Sequence, residues 1–156
     1  LSKEEEMPEK ETLERAEQDK REGKSPSTQA GEFVREEIHH IREGKHGAAS
    51  AKQAVAIGLS KARRAGVDLA PPKKGSVSEK TRKSAARDSS RGHSRKKKAV
   101  SARRSRSSEA ALKREPRSAA SHKALWRQAK SASRTRKKSG TRTTQARRTQ
   151  SKRRAA

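Results

Sequence analysis

The chain has no cysteine, no tyrosine, one phenylalanine, one tryptophan and one methionine in 156 residues. Without cysteine there is no disulfide framework and no thiol nucleophile or thiolate ligand. Two aromatic rings, Phe33 and Trp126, cannot dominate a sizeable core. No apolar run approaches the roughly 20 residues that span a bilayer. The opening LSKEEEMPEK lacks the apolar h-region of a secretory signal, so an intracellular protein is expected. Acidic side chains thin out along the chain: residues 1–70 hold 13 Lys/Arg and 14 Asp/Glu, whereas residues 71–156 hold 30 and 4. Hydrophobic residues are 26% and charged residues 39%, a balance that struggles to offset the ordering entropy of a whole domain.

One stretch carries a full set of folding signals, Lys45 to Ala70. Ser50 and Gln53 read as a capping box. Ala51, Ala54, Val55, Gly58, Leu59 and Ala62 recur at three- and four-residue steps along one helical stripe. Arg63 and Arg64 suit the last turn, Gly66 suits a left-handed C′ position with Val67 folding back, and Pro71 and Pro72 stop the helix. Upstream, Ser25 and Pro26 fit an N-cap and first helical position for a helix reaching Glu43, with Ala30, Phe33, Val34, Ile38 and Ile41 on one stripe. The two helices predict an α-helical hairpin at about 25–66, packed through Phe33, Val34, Ile38, Ile41, Val55 and Leu59.

The fold class expected is thus mostly α and disordered: a charged N-terminal helix or extension over 1–24, an α-hairpin module over 25–70, and a basic Lys/Arg/Ser/Ala-rich low-complexity tail over 71–156, largely disordered when free. Residues 8–22 read as a solvated, partly frayed helix, with Glu11–Arg15 and Glu17–Arg21 as i,i+4 pairs. Within the tail, Ser108 is a cap for EAALKRE, and SAASHKALWRQAKSA is a second short helical segment. A hairpin this small has too little core for stability alone, so it is expected to pair with a second copy or a protein partner.

A tail of net charge +26 seeks a polyanion. The expected phosphate-binding cations are Lys73, Lys74, Arg95, Lys96, Lys97, Lys98, Arg103, Arg104, Arg106, Lys113, Arg114, Lys123, Arg127, Arg136, Lys137, Lys138, Arg147, Arg148, Lys152, Arg153 and Arg154. Each can displace condensed counterions, a contact that positions but reads no sequence. Trp126, among Lys123, Arg127 and Lys130, suits either stacking on unpaired bases or anchoring a helix with Leu125. Ala54, Gly58 and Ser60 also fit the turn of a helix-turn-helix, but the capping signals favour one continuous helix. His39, His40 and His46 cluster in sequence, yet neighbours on a helix point apart, so no metal site is expected. Nothing forms a nucleophile–base constellation or a phosphate loop, so neither an enzyme nor a cofactor is expected.

The segment GKSPSTQAGEFVREEIHHIREGKHGAASAKQAVAIGLSKARRAGVDL resembles the opening of a family of small basic, largely uncharacterised bacterial proteins often labelled DNA-binding or plasmid-stabilisation proteins. The KHG, KQAVAIGLS and ARRAGV blocks carry the likeness over about residues 23–70. The tail, ALKREPRSAASHKALWRQAK included, is similar to bacterial histone-H1-like proteins in composition. The resemblance implies a bacterial or phage setting and a cytoplasmic, nucleoid-associated location, and it transfers no site residues. Residues and resemblance together predict a non-enzymatic, sequence-tolerant DNA-binding protein. The alternatives are an adaptor whose hairpin binds a specific partner and an RNA- or ribosome-associated basic protein.

Overall fold

The structure, a computed structural model, describes residues 8–94 and 101–154, with side chains described up to residue 138. Every regular element among the described residues is a helix, and they contain no strand: α1 (Lys10–Arg21), α2 (Pro26–Glu43), α3 (Ala51–Arg64), α4 (Glu79–His93), α5 (Ala102–Lys113), a 3-10 turn (Arg117–Ala120) and α6 (His122–Arg154). The chain divides into two compact units, one ending at Ala120 and one starting at Ser121.

Local chemistry accounts for the helix ends. Ser25 Oγ accepts from Thr28 N at 3.3 Å with Pro26 in the first helical position. Ser50 Oγ accepts from Gln53 N at 3.2 Å, while Gln53 Oε1 reaches back to Ala49 N at 2.8 Å, one residue before the usual capping-box amide. At the far end of α3, Val67 N donates to Ala62 O and Gly66 N to Arg63 O, both at 3.1 Å. This is the Schellman pattern, and Gly66 supplies the left-handed conformation it needs (φ 95°). α3 runs unbroken between these caps, so Gly58 is not a helix-turn-helix turn.

The core lies between α2 and α3, which run antiparallel. Ala30, Phe33 and Ala62 share one apolar cluster with Ala16 and Val67. Ile41 and Ala54 share the other with Ala48, Ala119 and Ala120. Gly58 sets how closely the helices approach, because a Cβ there would lie 2.6 Å from Val34 Cα. Of the six expected packing residues, Phe33 and Ile41 are fully buried, while Val34, Ile38, Val55 and Leu59 are half-buried.

A hairpin followed by a long disordered tail is overturned by this architecture. α4 docks on α3: Ala85 is buried, Ser60 Oγ donates to Asp88 Oδ2 at 2.6 Å, and Gly92 packs so closely that a Cβ would meet Arg63 O. After α5, which buries none of its residues, the chain returns to the α2–α3 loop. There Gly47 N donates to Leu112 O at 2.9 Å and Ala48 N to Pro116 O at 3.2 Å. Ala119 and Ala120 then fill the second cluster, and Arg42 Nε donates to Ala120 O at 3.0 Å. The low-complexity composition hides this because the docking residues are Ala and Gly, which bury little side chain but let backbones touch.

Other boundaries differ too. α1 is not merely solvated: Thr12, Ala16 and Asp19 are buried, and Arg15 Nε bonds Glu32 Oε2 at 2.7 Å as well as Glu11. α5 starts at Ala102 rather than after Ser108, and α6 continues through the basic repeats as one helix. Ala, Lys, Arg and Gln are good helix formers, and although Ser and Thr are interspersed among them, α6 contains no proline and a single glycine, Gly140. No helix among the described residues is long and apolar enough to cross a membrane.

Candidate nucleic-acid interface and a buried ionic cluster

The expected phosphate contacts fall in separate places. Lys73 and Lys74 are exposed in the turn before α4. Arg103, Arg104 and Arg106 are exposed on α5, Lys113 pairs with Glu109, and Arg114 follows the helix end. Lys123, Arg127, Arg136, Lys137 and Lys138 are exposed on α6. Arg147, Arg148, Lys152, Arg153 and Arg154 lie on the same helix, their side chains outside the described residues. Arg95, Lys96, Lys97 and Lys98 lie outside the described residues altogether.

Helix formation organises part of this charge. Lys123, Arg127, Lys130, Arg134 and Lys137 follow at four- and three-residue steps, so they form one stripe along α6. Along such a stripe successive turns advance about 5.4 Å. Lys130 and Arg134 are additions to the expected set; their spacing signals the stripe once the segment is taken as helical. From Pro116 to the C-terminus the sequence holds no Asp or Glu, so no carboxylate of this helix competes for its cations. Trp126 stands 61% exposed on α6, with Lys130 Nζ 4.5 Å from its ring centroid, a cation–π contact.

A second constellation lies inside the first unit. On α2, Glu37 occupies the stripe position midway between Phe33 and Ile41, four residues from each. Its side chain is 0% exposed, that of neighbouring Glu36 1%, and that of Lys61 on α3 6%. Lys61 Nζ lies 2.8 Å from Glu37 Oε2 and 3.8 Å from Glu36 Oε1. His46 Nε2 lies 3.1 Å from Glu37 Oε1, and its Nδ1 lies 3.0 Å from Gly47 O. These ion-pair contacts are close but poorly directed: Glu36 Oε1, both Glu37 oxygens and Lys61 Nζ are buried without an aligned hydrogen bond. At the edge of the cluster, Glu36 Oε2 accepts from Glu9 N at 3.2 Å. Glu9 Oε1 in turn meets His40 Nε2 at 2.9 Å and Lys45 Nζ at 3.2 Å.

The electrostatics follow from the partners. Burial pushes the Glu37 carboxyl up, but the His46 ring and the Lys61 ammonium outweigh it and hold it below the ordinary carboxylate value. The Glu37 carboxylate raises the His46 pKa against the opposing effect of burial. His40 and Lys45 lower the pKa of Glu9.

Glu36, Glu37 and Lys61 are not among the residues expected from the sequence. The signal for them is position: Glu37 and Lys61 each sit on the apolar stripe of their own helix. The adjacent histidines do diverge, His39 being exposed and His40 buried. His40 nonetheless meets His46, their ring centroids 6.3 Å apart and edge to face.

The described residues of the first unit therefore form a helical scaffold with an ionic layer in its core. A family model described as "Family of unknown function (DUF6496)" matches residues 19–74. The matched span holds α2, α3 and the whole Glu36–Glu37–His40–His46–Lys61 group, and stops before α4. No curated protein and no solved structure matches the chain.

Proposed function

We propose that this protein is a non-enzymatic, sequence-tolerant DNA-binding protein of nucleoid-associated, histone-like type, which contacts phosphates through the cations of its C-terminal half. The observation that carries this reading is the exposed basic stripe of α6 in a segment without a single acid. A helix bearing cations on successive turns can follow a phosphate backbone, and affinity then comes from counterion release rather than base contacts. The exposed cations of α5 and of the turn at Lys73 and Lys74 add to the positive charge available to a polyanion. An enzymatic reading has no comparable support, because the buried Glu37 carboxylate is engaged by the His46 ring and the Lys61 ammonium.

The test is fluorescence anisotropy of the full chain with labelled duplexes of unrelated sequence over a range of salt. Affinity should vary little between sequences. If about ten phosphates are neutralised, log K should fall against log salt with a slope near −9. Tight binding to one sequence with a shallow salt slope would refute the proposal. Trp126 favours unpaired bases as an added contact: as the sole tryptophan, its emission should be quenched more by a single strand than by a duplex. Equal quenching would assign it no stacking role.

A further inference from the structure

We propose that Glu37, His40 and His46 form a binding site for a divalent transition-metal ion, with zinc the best chemical match. One ligand atom from each of the three residues lies within 4.8 Å of the others, inside the buried layer between α2, α3 and the loop joining them. The donor set is two imidazoles and one carboxylate, a set that zinc accepts while keeping a fourth position for water.

Three independent features support the assignment. The Glu37 carboxylate is completely buried, and neither of its oxygens has an aligned hydrogen bond, so it carries unused acceptor capacity where such a group is costly. Its Oε1 stands 3.1 Å from His46 Nε2, against about 3.3 Å for an edge of a tetrahedron with metal–ligand bonds near 2.0 Å. Little movement is needed to place an ion between them. Each imidazole also has one nitrogen against an oxygen acceptor, His46 Nδ1 at Gly47 O (3.0 Å) and His40 Nε2 at Glu9 Oε1 (2.9 Å). An acceptor on one ring nitrogen is the kind of contact that orients metal-ligating histidines, and for His46 it leaves Nε2, the atom facing Glu37, to bind. With the imidazoles neutral, as ligation requires, Glu36 and Glu37 supply two carboxylates to the buried layer against the one ammonium of Lys61. Lys61 stays on Glu37 Oε2, and the metal takes the Oε1 side.

The experiment uses the untagged, metal-free full chain at neutral pH. Cobalt(II) serves as a spectroscopic probe and zinc as the ligand in calorimetry. One equivalent of cobalt should produce the intense visible bands of a four- or five-coordinate ion, and zinc should displace it. His40→Gln and His46→Gln should each weaken zinc binding at least tenfold, while His93→Gln, which alters an exposed histidine, should leave it unchanged. Should a substitution disturb the fold by circular dichroism, the wild-type imidazole NMR signals decide: His40 and His46 should move together with one equivalent of zinc, and His39, His93 and His122 should not. Weak, multi-site binding that is indifferent to both substitutions, or zinc-dependent shifts confined to the exposed histidines, would overturn the site.

Discussion

Replacing Lys61 by Met tests the buried layer most severely. The ammonium it removes is 6% exposed and lies 2.8 Å from Glu37 Oε2 and 3.8 Å from Glu36 Oε1, whose side chains are 0% and 1% exposed. Methionine fills a similar volume, so packing changes little. What remains is two buried carboxylates without their ammonium, and breaking a buried pair from one side costs about 3–5 kcal/mol. Against a typical total of about 5–15 kcal/mol, that is a large share of the fold's stability. The double variant Glu37→Leu/Lys61→Met removes the closer pair together and should recover part of the loss, since a buried pair exchanged for apolar side chains is often neutral while Glu36 stays buried without its ammonium. The cycle should therefore show a coupling of about 1–3 kcal/mol, outside the additivity expected of independent sites. Urea unfolding of the full chain, followed by far-UV circular dichroism at neutral pH, measures all four members. A Lys61→Met cost below about 1 kcal/mol, with the double variant simply additive, would refute the account of this layer.

The helix interfaces make further predictions. Gly31→Ala, in the interior of α2 with nothing within 4 Å of the new Cβ, should stabilise the protein by about 0.5–1 kcal/mol in the same urea assay. Gly58→Ala gains similar helix propensity but drives its Cβ to 2.6 Å from Val34 Cα, so it should destabilise by about 1–3 kcal/mol. Amide exchange should be slowed through the middle of α4 by its docking on α3, and Gly92→Ala, whose Cβ would meet the Arg63 carbonyl, should release that protection. The Ser89 carbonyl and the Asp68 carboxylate, 2.6 Å from His93 Nε2, raise the His93 pKa above its ordinary value of 6.5. Its contribution to α4 docking is thus fully present below pH 6.5 and is lost as pH rises through the raised folded value. An NMR titration should show that elevation shrinking in Asp68→Asn.

How much of this was legible in the sequence depends on the kind of signal. Caps are local, so Ser25, Ser50 and Gly66 marked the ends of α2 and α3 without any knowledge of the fold. Apolar periodicity marked Phe33 and Ile41 as core. The rest depended on partners distant in sequence. Ala85, Gly92, Ala119 and Ala120 look like low-complexity filler until a second backbone is near enough to use their small size, and the chain's poor hydrophobic content gave no hint of it. The buried Glu36–Glu37–Lys61 group is illegible to a reading that places charge outside by default. Only the coincidence of Glu37 with the Phe33–Ile41 stripe, and of Lys61 with the Ala54–Gly58 stripe, betrays it. The basic positions were legible as composition, but the ordered stripe from Lys123 to Lys137 required α6 to be a helix.

The proposed function rests on that stripe, and one comparison tests it directly. Lys123→Gln, Arg127→Gln, Lys130→Gln and Arg134→Gln combined neutralise four exposed cations of α6 and retain good helix formers at each position. With the full chain and an arbitrary duplex, anisotropy titrations over a range of salt give the slope of log K against log salt. The account predicts weaker binding to every duplex sequence, with the slope shallower by up to about 0.9 for each phosphate left without its cation. An unchanged affinity and an unchanged slope in the fourfold variant would contradict it.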